Sequence, residues 1–195
     1  MTTTPAPLTR SPNWAGVASI AAKLLLLGLL LSALFWPDLS GIRGKASTAR
    51  LIVYPLGAMA LPLFWLAVRP SRAFPWVADL LVTLPWLVDL AGNRLNLFDT
   101  ISWWDDLMHC VLWGLLTAGV LIAFAPPRAT RGLTAMLALG FGTTAAVLWE
   151  LGEYVAFVRH SPELQTAYTD TLGDLALGTL GALLAGLAVA RLHRT

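Results

Sequence analysis

Apolar segments as long as a bilayer is thick recur along almost the whole of this chain. The first covers residues 14–36 and is densest in leucine at residues 24–31. A transmembrane helix needs roughly 20 mostly apolar residues. Only 12% of the residues are charged, which is about half the fraction usual in a soluble domain. We therefore predict an all-α fold, a polytopic membrane helix bundle.

Turn and charge signals divide the sequence into about six transmembrane helices. The expected helices cover residues 14–36, 51–68, 74–90, 103–125, 131–158 and 169–191. They form a single transmembrane domain, residues 14–191, between a mobile N-terminal tail, residues 1–13, and a short C-terminal tail, residues 192–195. In the third helix Pro85 should produce a kink, and the Gly92-Asn93 pair predicts the turn after it.

Two kinds of residue stand out inside these helices. Lys23 lies within the first, and we expect its aliphatic stem to carry the ammonium to the membrane interface. The last helix contains Gly173, Gly178, Gly181 and Gly186, which predict close packing against a neighbouring helix.

The distribution of lysine and arginine predicts the orientation in the membrane, since cytoplasmic loops are the richer in both. If the chain crosses the membrane six times, seven of these residues lie on the same side as the two termini and five lie on the opposite side. The seven are Arg10, Arg69, Arg72, Arg128, Arg131, Arg191 and Arg194, and the five are Arg43, Lys45, Arg50, Arg94 and Arg159. Both termini are thus expected in the cytoplasm. The net charge of +2 is scattered over short loops, so no nucleic-acid partner is expected.

Acidic residues concentrate in the last three helices, and their spacing is regular. The pairs Asp105/His109 and Asp170/Asp174 are four residues apart, and Glu150/Glu153 are three apart. Residues at these offsets lie on one helical face. Because consecutive helices alternate in direction, all three pairs should meet at one membrane face, the extracytoplasmic one. Asp106 belongs to the same acidic group, and Asp89 should reach the same level.

One imidazole among several carboxylates is a donor set that suits a divalent metal such as Zn, Mn or Fe. The expected metal ligands are Asp105, His109, Glu150 and Asp174. Glu153 or Asp170 is then the catalytic general base that activates a water molecule. Without a metal, so many neighbouring acids would not all stay ionised.

The same residues carry a resemblance to a family. The stretch Ser102-Trp103-Trp104-Asp105-Asp106-Leu107-Met108-His109, followed by Gly114, resembles the "WWD-x-x-x-H…G" segment of the YjdF-like (DUF2238) bacterial membrane proteins. Leu148-Trp149-Glu150-Leu151-Gly152-Glu153-Tyr154 is similar to their "WE-x-x-E" segment. The stretch from Tyr168 to Leu175, with Gly181-Ala182, is similar to their "DT-x-x-D-L…G-A" closing helix.

This resemblance covers about residues 90–187 and implies a polytopic inner-membrane protein, without naming a reaction. A looser resemblance to VanZ-like proteins rests on Asp105, His109, Asp174 and Gly181. There the chain departs from the pattern, with Gly178 in place of the usual Asn and Glu153 in place of the frequent Gln.

Three functions stay open on the sequence. The leading one is a metal-binding protein of the membrane, hydrolytic or otherwise catalytic on a lipid-linked or small-molecule substrate. The second is a carrier for protons, a metal ion or a small solute, favoured by Asp79 and Asp89 on either side of Pro85. The third is an accessory subunit whose polar residues only hold helices together. Arg159 and His160, in the loop beside the expected site, are read as membrane anchors, with binding of an anionic headgroup as the alternative.

Overall fold

The computed structural model describes residues 13–36, 47–126 and 128–192. All the regular secondary structure in these ranges is helical. The expected tail up to residue 12, the loop with Arg43 and Lys45, and residues 193–195 lie outside the described residues.

Eight α-helices follow one another along the described chain. They are α1 (Trp14–Phe35), α2 (Ser47–Ala58), α3 (Ala60–Val68), α4 (Trp76–Arg94), α5 (Leu97–Thr100), α6 (Trp104–Phe124), α7 (Arg131–Ala156) and α8 (Ala167–Leu192). Two short 3-10 turns, Val158–His160 and Pro162–Gln165, connect α7 to α8. The all-α bundle predicted from the sequence is thereby confirmed.

Within the described ranges, four helical segments are long and apolar enough to cross a membrane. These segments are Trp14–Phe35, Trp104–Phe124, Arg131–His160 and Ala167–Leu192. The pair α2 and α3 makes a fifth if it is counted as one span. Helix α4 is 19 residues long, or about 28 Å at 1.5 Å per residue, but it carries several charges. The structure therefore has four or five candidate spans besides α4 in the described ranges, which agrees approximately with the expected number of about six.

The expected second helix, residues 51–68, is bent by 49° between α2 and α3. Pro62 accounts for the position of the break. A proline inside a helix cannot donate to the carbonyl four residues earlier, and its ring crowds that carbonyl. The carbonyl concerned belongs to Ala58, where α2 ends. The chain resumes as a helix at Ala60.

The connector after α4 also begins later than the sequence predicts. Gly92 and Asn93 belong to α4 and are buried, so the turn expected there is wrong. The turn instead uses Asn96, which has the left-handed backbone conformation, φ 58°. Gly92 allows the ring of Phe98 to lie close to the backbone of α4, because a Cβ atom at position 92 would be only 2.8 Å from that ring.

Small residues bring α6, α7 and α8 close together. A side chain on Gly181 of α8 would collide with the backbone carbonyl of Cys110 in α6. Gly186 meets Ala138 of α7 in the same way. This agrees with the predicted close packing of the last helix, although a Cβ on Gly173 would meet nothing within 4 Å.

The outside of the bundle is apolar, as a lipid-facing surface requires. In α1 the bundle-facing residues include Ser19, Ala22 and Leu26, whereas Leu24 and Leu27 are at least half exposed. The polar residues of this helix therefore face its neighbours and the leucines face outwards, which is the pattern of a membrane helix.

Candidate functional site

One end of the bundle contains a cavity of about 370 Å³. It lies where α2, α6 and α8 begin and where α4 and α7 end. All six residues that the sequence predicts as metal ligands or general bases line it, namely Asp105, His109, Glu150, Glu153, Asp170 and Asp174. The offsets of three and four residues do place each pair on one face. The direction of the helices brings the three faces together.

His109 lies at the centre of this group, with 11% of its side chain exposed. Its Nε2 atom is 3.6 Å from Asp105 Oδ1 and also 3.6 Å from Asp174 Oδ1. Its Nδ1 atom is 3.9 Å from Glu150 Oε1 and makes no hydrogen bond with the described residues. The two ring nitrogens thus face different carboxylates.

Ligand atoms of Asp105, His109 and Asp174 all lie within 4.8 Å of one another. Three ligands at about 2.0–2.2 Å from one tetrahedral zinc ion are separated by roughly 3.4 Å. The two distances of 3.6 Å from His109 Nε2 are close to that value. The three side chains would need to draw closer together to share an ion, since their ligand atoms are bounded only by the 4.8 Å limit.

Glu150 is held from a second side. Thr171 Oγ1 donates a hydrogen bond of 3.3 Å to Glu150 Oε2, while the other carboxylate oxygen faces His109 and has no hydrogen-bond partner among the described residues. Glu150 lies on the side from which it would accept a hydrogen bond from the imidazole Nδ1–H, and such a bond would orient the ring. Of the three carboxylates predicted as ligands, Asp105 and Asp174 lie on the Nε2 side of His109 and Glu150 lies on the Nδ1 side.

The opposite wall of the cavity is formed around Arg50, which sequence reasoning placed in a loop. Arg50 lies inside α2 and is 8% exposed. Its Nε atom donates to the Tyr54 hydroxyl at 2.8 Å and lies 3.5 Å from Asp89 Oδ2. Tyr54 in turn donates a short hydrogen bond to Asp89. Arg50 Nη2 is 3.8 Å from Glu153 Oε1.

One signal in the sequence points to this wall: Arg50 and Tyr54 are four residues apart and so share a helical face. The prediction that Asp89 reaches the level of the site is confirmed, because it lines the same cavity. Trp86 and Trp149 pack against Tyr54 and complete the apolar part of the wall.

Some predicted candidates lie elsewhere. Asp106 is exposed and does not line the cavity, and neither do Arg159 and His160, which are exposed in the turn after α7. Trp103 is 57% exposed, as an interfacial anchor would be, whereas Trp104 packs against Phe98.

A second polar cluster lies between α1 and α4, away from the cavity. The ammonium of Lys23 is 2.7 Å from Asp79 Oδ2, so the expectation that it reaches the interface is wrong. It also donates to Ser19 Oγ at 2.9 Å and to Thr83 Oγ1 at 2.6 Å. Asp79 is 1% exposed, and a buried carboxylate attracts the ammonium more strongly than the distant interface does.

Comparison with known proteins gives one match, which spans most of the chain. The family described as "Predicted membrane protein (DUF2238)" matches residues 22–195. No curated protein and no solved structure matches the chain. The looser resemblance to VanZ-like proteins has no support in these matches.

Proposed function

Since this chain belongs to the DUF2238 family of membrane proteins, we propose that its cavity is a metal-binding site exposed to one face of a bacterial inner membrane. The carrying observation is the arrangement of Asp105, His109 and Asp174, whose ligand atoms lie within 4.8 Å of one another. Charged groups within a membrane domain are costly and usually functional. Asp174 is the most buried of the three, at 5% exposure.

In this proposal the three residues are the ligands, through His109 Nε2 and one carboxylate oxygen from each aspartate. Glu150 faces the other ring nitrogen at 3.9 Å. A metal-bound histidine usually donates its second N–H to a carboxylate, which fixes the ring and raises its basicity. Glu150, predicted as a fourth ligand, thus has a position that suits an orienting role. Zinc, manganese and ferrous iron all accept such a donor set.

The reaction we propose is hydrolysis of a membrane-bound, lipid-linked substrate. A divalent ion would polarise the scissile group and make a water molecule more acidic. Glu153 and Asp170 are the candidate bases for that water, and both line the cavity. Glu153 lies beside Arg50, which holds its carboxylate in place. Asp170 lies one helical turn before Asp174, near the exposed end of α8.

We further propose that the site faces the extracytoplasmic side and that both termini are cytoplasmic. The count of loop cations supports this orientation more strongly once Arg50 is recognised as a buried helix residue. It then leaves the opposite side with four cations against seven.

Metal analysis tests the proposal directly. Purified protein should bind zinc, manganese or ferrous iron in a one-to-one ratio, and His109→Ala should lose that metal because its only nitrogen ligand is gone. His160→Ala is the matched control, since His160 is exposed outside the cavity. Glu153→Gln keeps the side-chain shape, so it should retain the metal while hydrolysis is lost if Glu153 is the base. Wild-type protein that stays metal-free in the presence of all three ions would contradict the proposal.

That negative result would favour the second candidate function, a proton-linked or cation-linked carrier. The observation that supports it is the Lys23–Asp79 pair, which lies on the other side of Pro85 from Asp89. Helix α4 thus carries an acidic residue on each side of Pro85, and ionisable residues within membrane helices often mark transport pathways.

A further inference from the structure

A second, more open pocket of about 430 Å³ adjoins the cavity between the end of α7 and the start of α8. Its volume lies in the range of about 300–1,000 Å³ that is usual for small-molecule sites. The apolar residues along it are Leu151, Leu164 and Leu172, which are 57%, 49% and 50% exposed. We call this pocket the α7–α8 groove.

The groove and the cavity share part of their walls. Glu150, Tyr154, Ala167 and Thr171 line both. Glu150 is therefore in contact with the apolar groove and, at 3.9 Å, also with the imidazole of His109. An elongated molecule lying in the groove would reach the proposed site past Glu150.

Aromatic residues place the groove at the depth of lipid headgroups. Tyr154 and Tyr168 line it and are 47% and 79% exposed. Tyrosine concentrates at membrane–water interfaces, where its ring contacts the hydrocarbon and its hydroxyl contacts water. The occupant of such a groove is an amphiphile whose chain comes from the bilayer.

The charge of the cavity selects among amphiphiles. Among the described residues that line it, eight are acidic and Arg50 is the only lysine or arginine. Arg50 already lies within 4 Å of two of these acids, Asp89 and Glu153. One bound divalent ion would leave the cavity negative overall, so an acidic head is repelled.

We infer that the α7–α8 groove is the lateral entrance for a membrane amphiphile whose polar head carries no net negative charge. Its acyl chain lies along Leu151 and Leu172, and its head passes Glu150 into the cavity. This rests on the function proposed above in that the head is the group on which the His109 site acts. Binding of the chain in the groove does not itself need a metal.

Photo-crosslinking in nanodiscs tests the entrance. The probes are a diacylglycerol and a phosphatidic acid that carry the same diazirine-labelled chain, each present in trace amounts in phosphatidylcholine. Labelling of residues 150–172, normalised to the lipid-facing α1, should be clearly stronger with diacylglycerol. Leu172→Trp fills the groove and should lower that labelling about fivefold, the effect of losing roughly 1 kcal/mol of apolar contact.

Leu180→Trp is the matched control, because Leu180 is 45% exposed on the same helix but does not line the groove. It should label like the wild type. Equal labelling by the two probes, or labelling that Leu172→Trp does not lower, would overturn the inference. Zinc binding is measured on the same samples. Metal-free protein that still shows selective labelling would contradict the metal site and support the entrance. Metal-loaded protein without selective labelling would support the metal site and contradict the entrance.

Discussion

The Lys23–Asp79 cluster and the His109 cavity both bury charge inside the bundle, but they satisfy it differently. The Lys23 ammonium has three donors and uses all three, on Ser19, Asp79 and Thr83. One cation faces one anion, and only Asp79 Oδ1 lacks a partner among the described residues. This cluster is closed, because every donor of the ammonium has a partner inside the bundle.

The cavity has the opposite character. Its acids outnumber its cations, and His109 Nδ1 and Glu150 Oε1 face each other without a hydrogen bond. Unsatisfied polar atoms beside an excess of like charge raise the free energy of the folded protein. A bound cation would lower it. The number of buried charges is thus a weaker sign of function than whether those charges satisfy one another.

Breaking the closed cluster should have the largest effect. Lys23→Met leaves the Asp79 carboxylate buried without a cation, and the free energy of unfolding should fall by about 3–5 kcal/mol. Unfolding in mixed micelles measures it. The double variant Lys23→Met/Asp79→Leu should recover most of the loss, because no charge is then left uncompensated. If the double variant is as unstable as the single one, the cluster is not a simple ion pair.

A change beside the metal site should have an intermediate effect, and on binding rather than on folding. Glu150→Gln removes the carboxylate that faces His109 Nδ1, and we expect metal affinity to fall about 10–100-fold, the usual result of losing such an orienting group. Titration calorimetry measures this. Asp106→Asn on α6 is the control, since Asp106 is exposed outside the cavity. The same loss of affinity in both variants would mean a general charge effect.

The smallest effect is expected at the wall of the cavity around Arg50. Its charges satisfy one another less completely than those of the Lys23–Asp79 cluster and more completely than those around His109. Tyr54→Phe removes one hydroxyl, which accepts from Arg50 and donates to Asp89. Hydrogen bonds between membrane helices contribute about 0.6–1.7 kcal/mol, so the free energy of unfolding should fall by that amount while metal affinity stays unchanged. A loss of metal would show that this wall and the His109 group act as one site.

Much of the cavity was predictable because its residues are neighbours on single helices. The offsets Asp105/His109, Glu150/Glu153 and Asp170/Asp174 are local, and a helix of 3.6 residues per turn places each pair on one face whatever surrounds it. Apart from its local neighbour Tyr54, the partners of Arg50 were not predictable in this way. A cation beside an expected loop is interpreted as evidence for the membrane orientation. The charged partners of Arg50, which are Asp89 and Glu153, are far away in sequence.

By itself, the sequence determined that the chain is a bundle of apolar helices and that the acidic pairs collect at one end of it. These depend on segment length, period and direction, which are properties of each helix alone. Only the tertiary structure decided that Lys23 pairs with Asp79 rather than with the interface, and that Glu150 faces Nδ1 of His109 rather than Nε2. Such choices depend on how each helix is rotated against its neighbours. Contacts such as that of Gly181 with the Cys110 carbonyl set this rotation, and they depend on how small residues on different helices fit together.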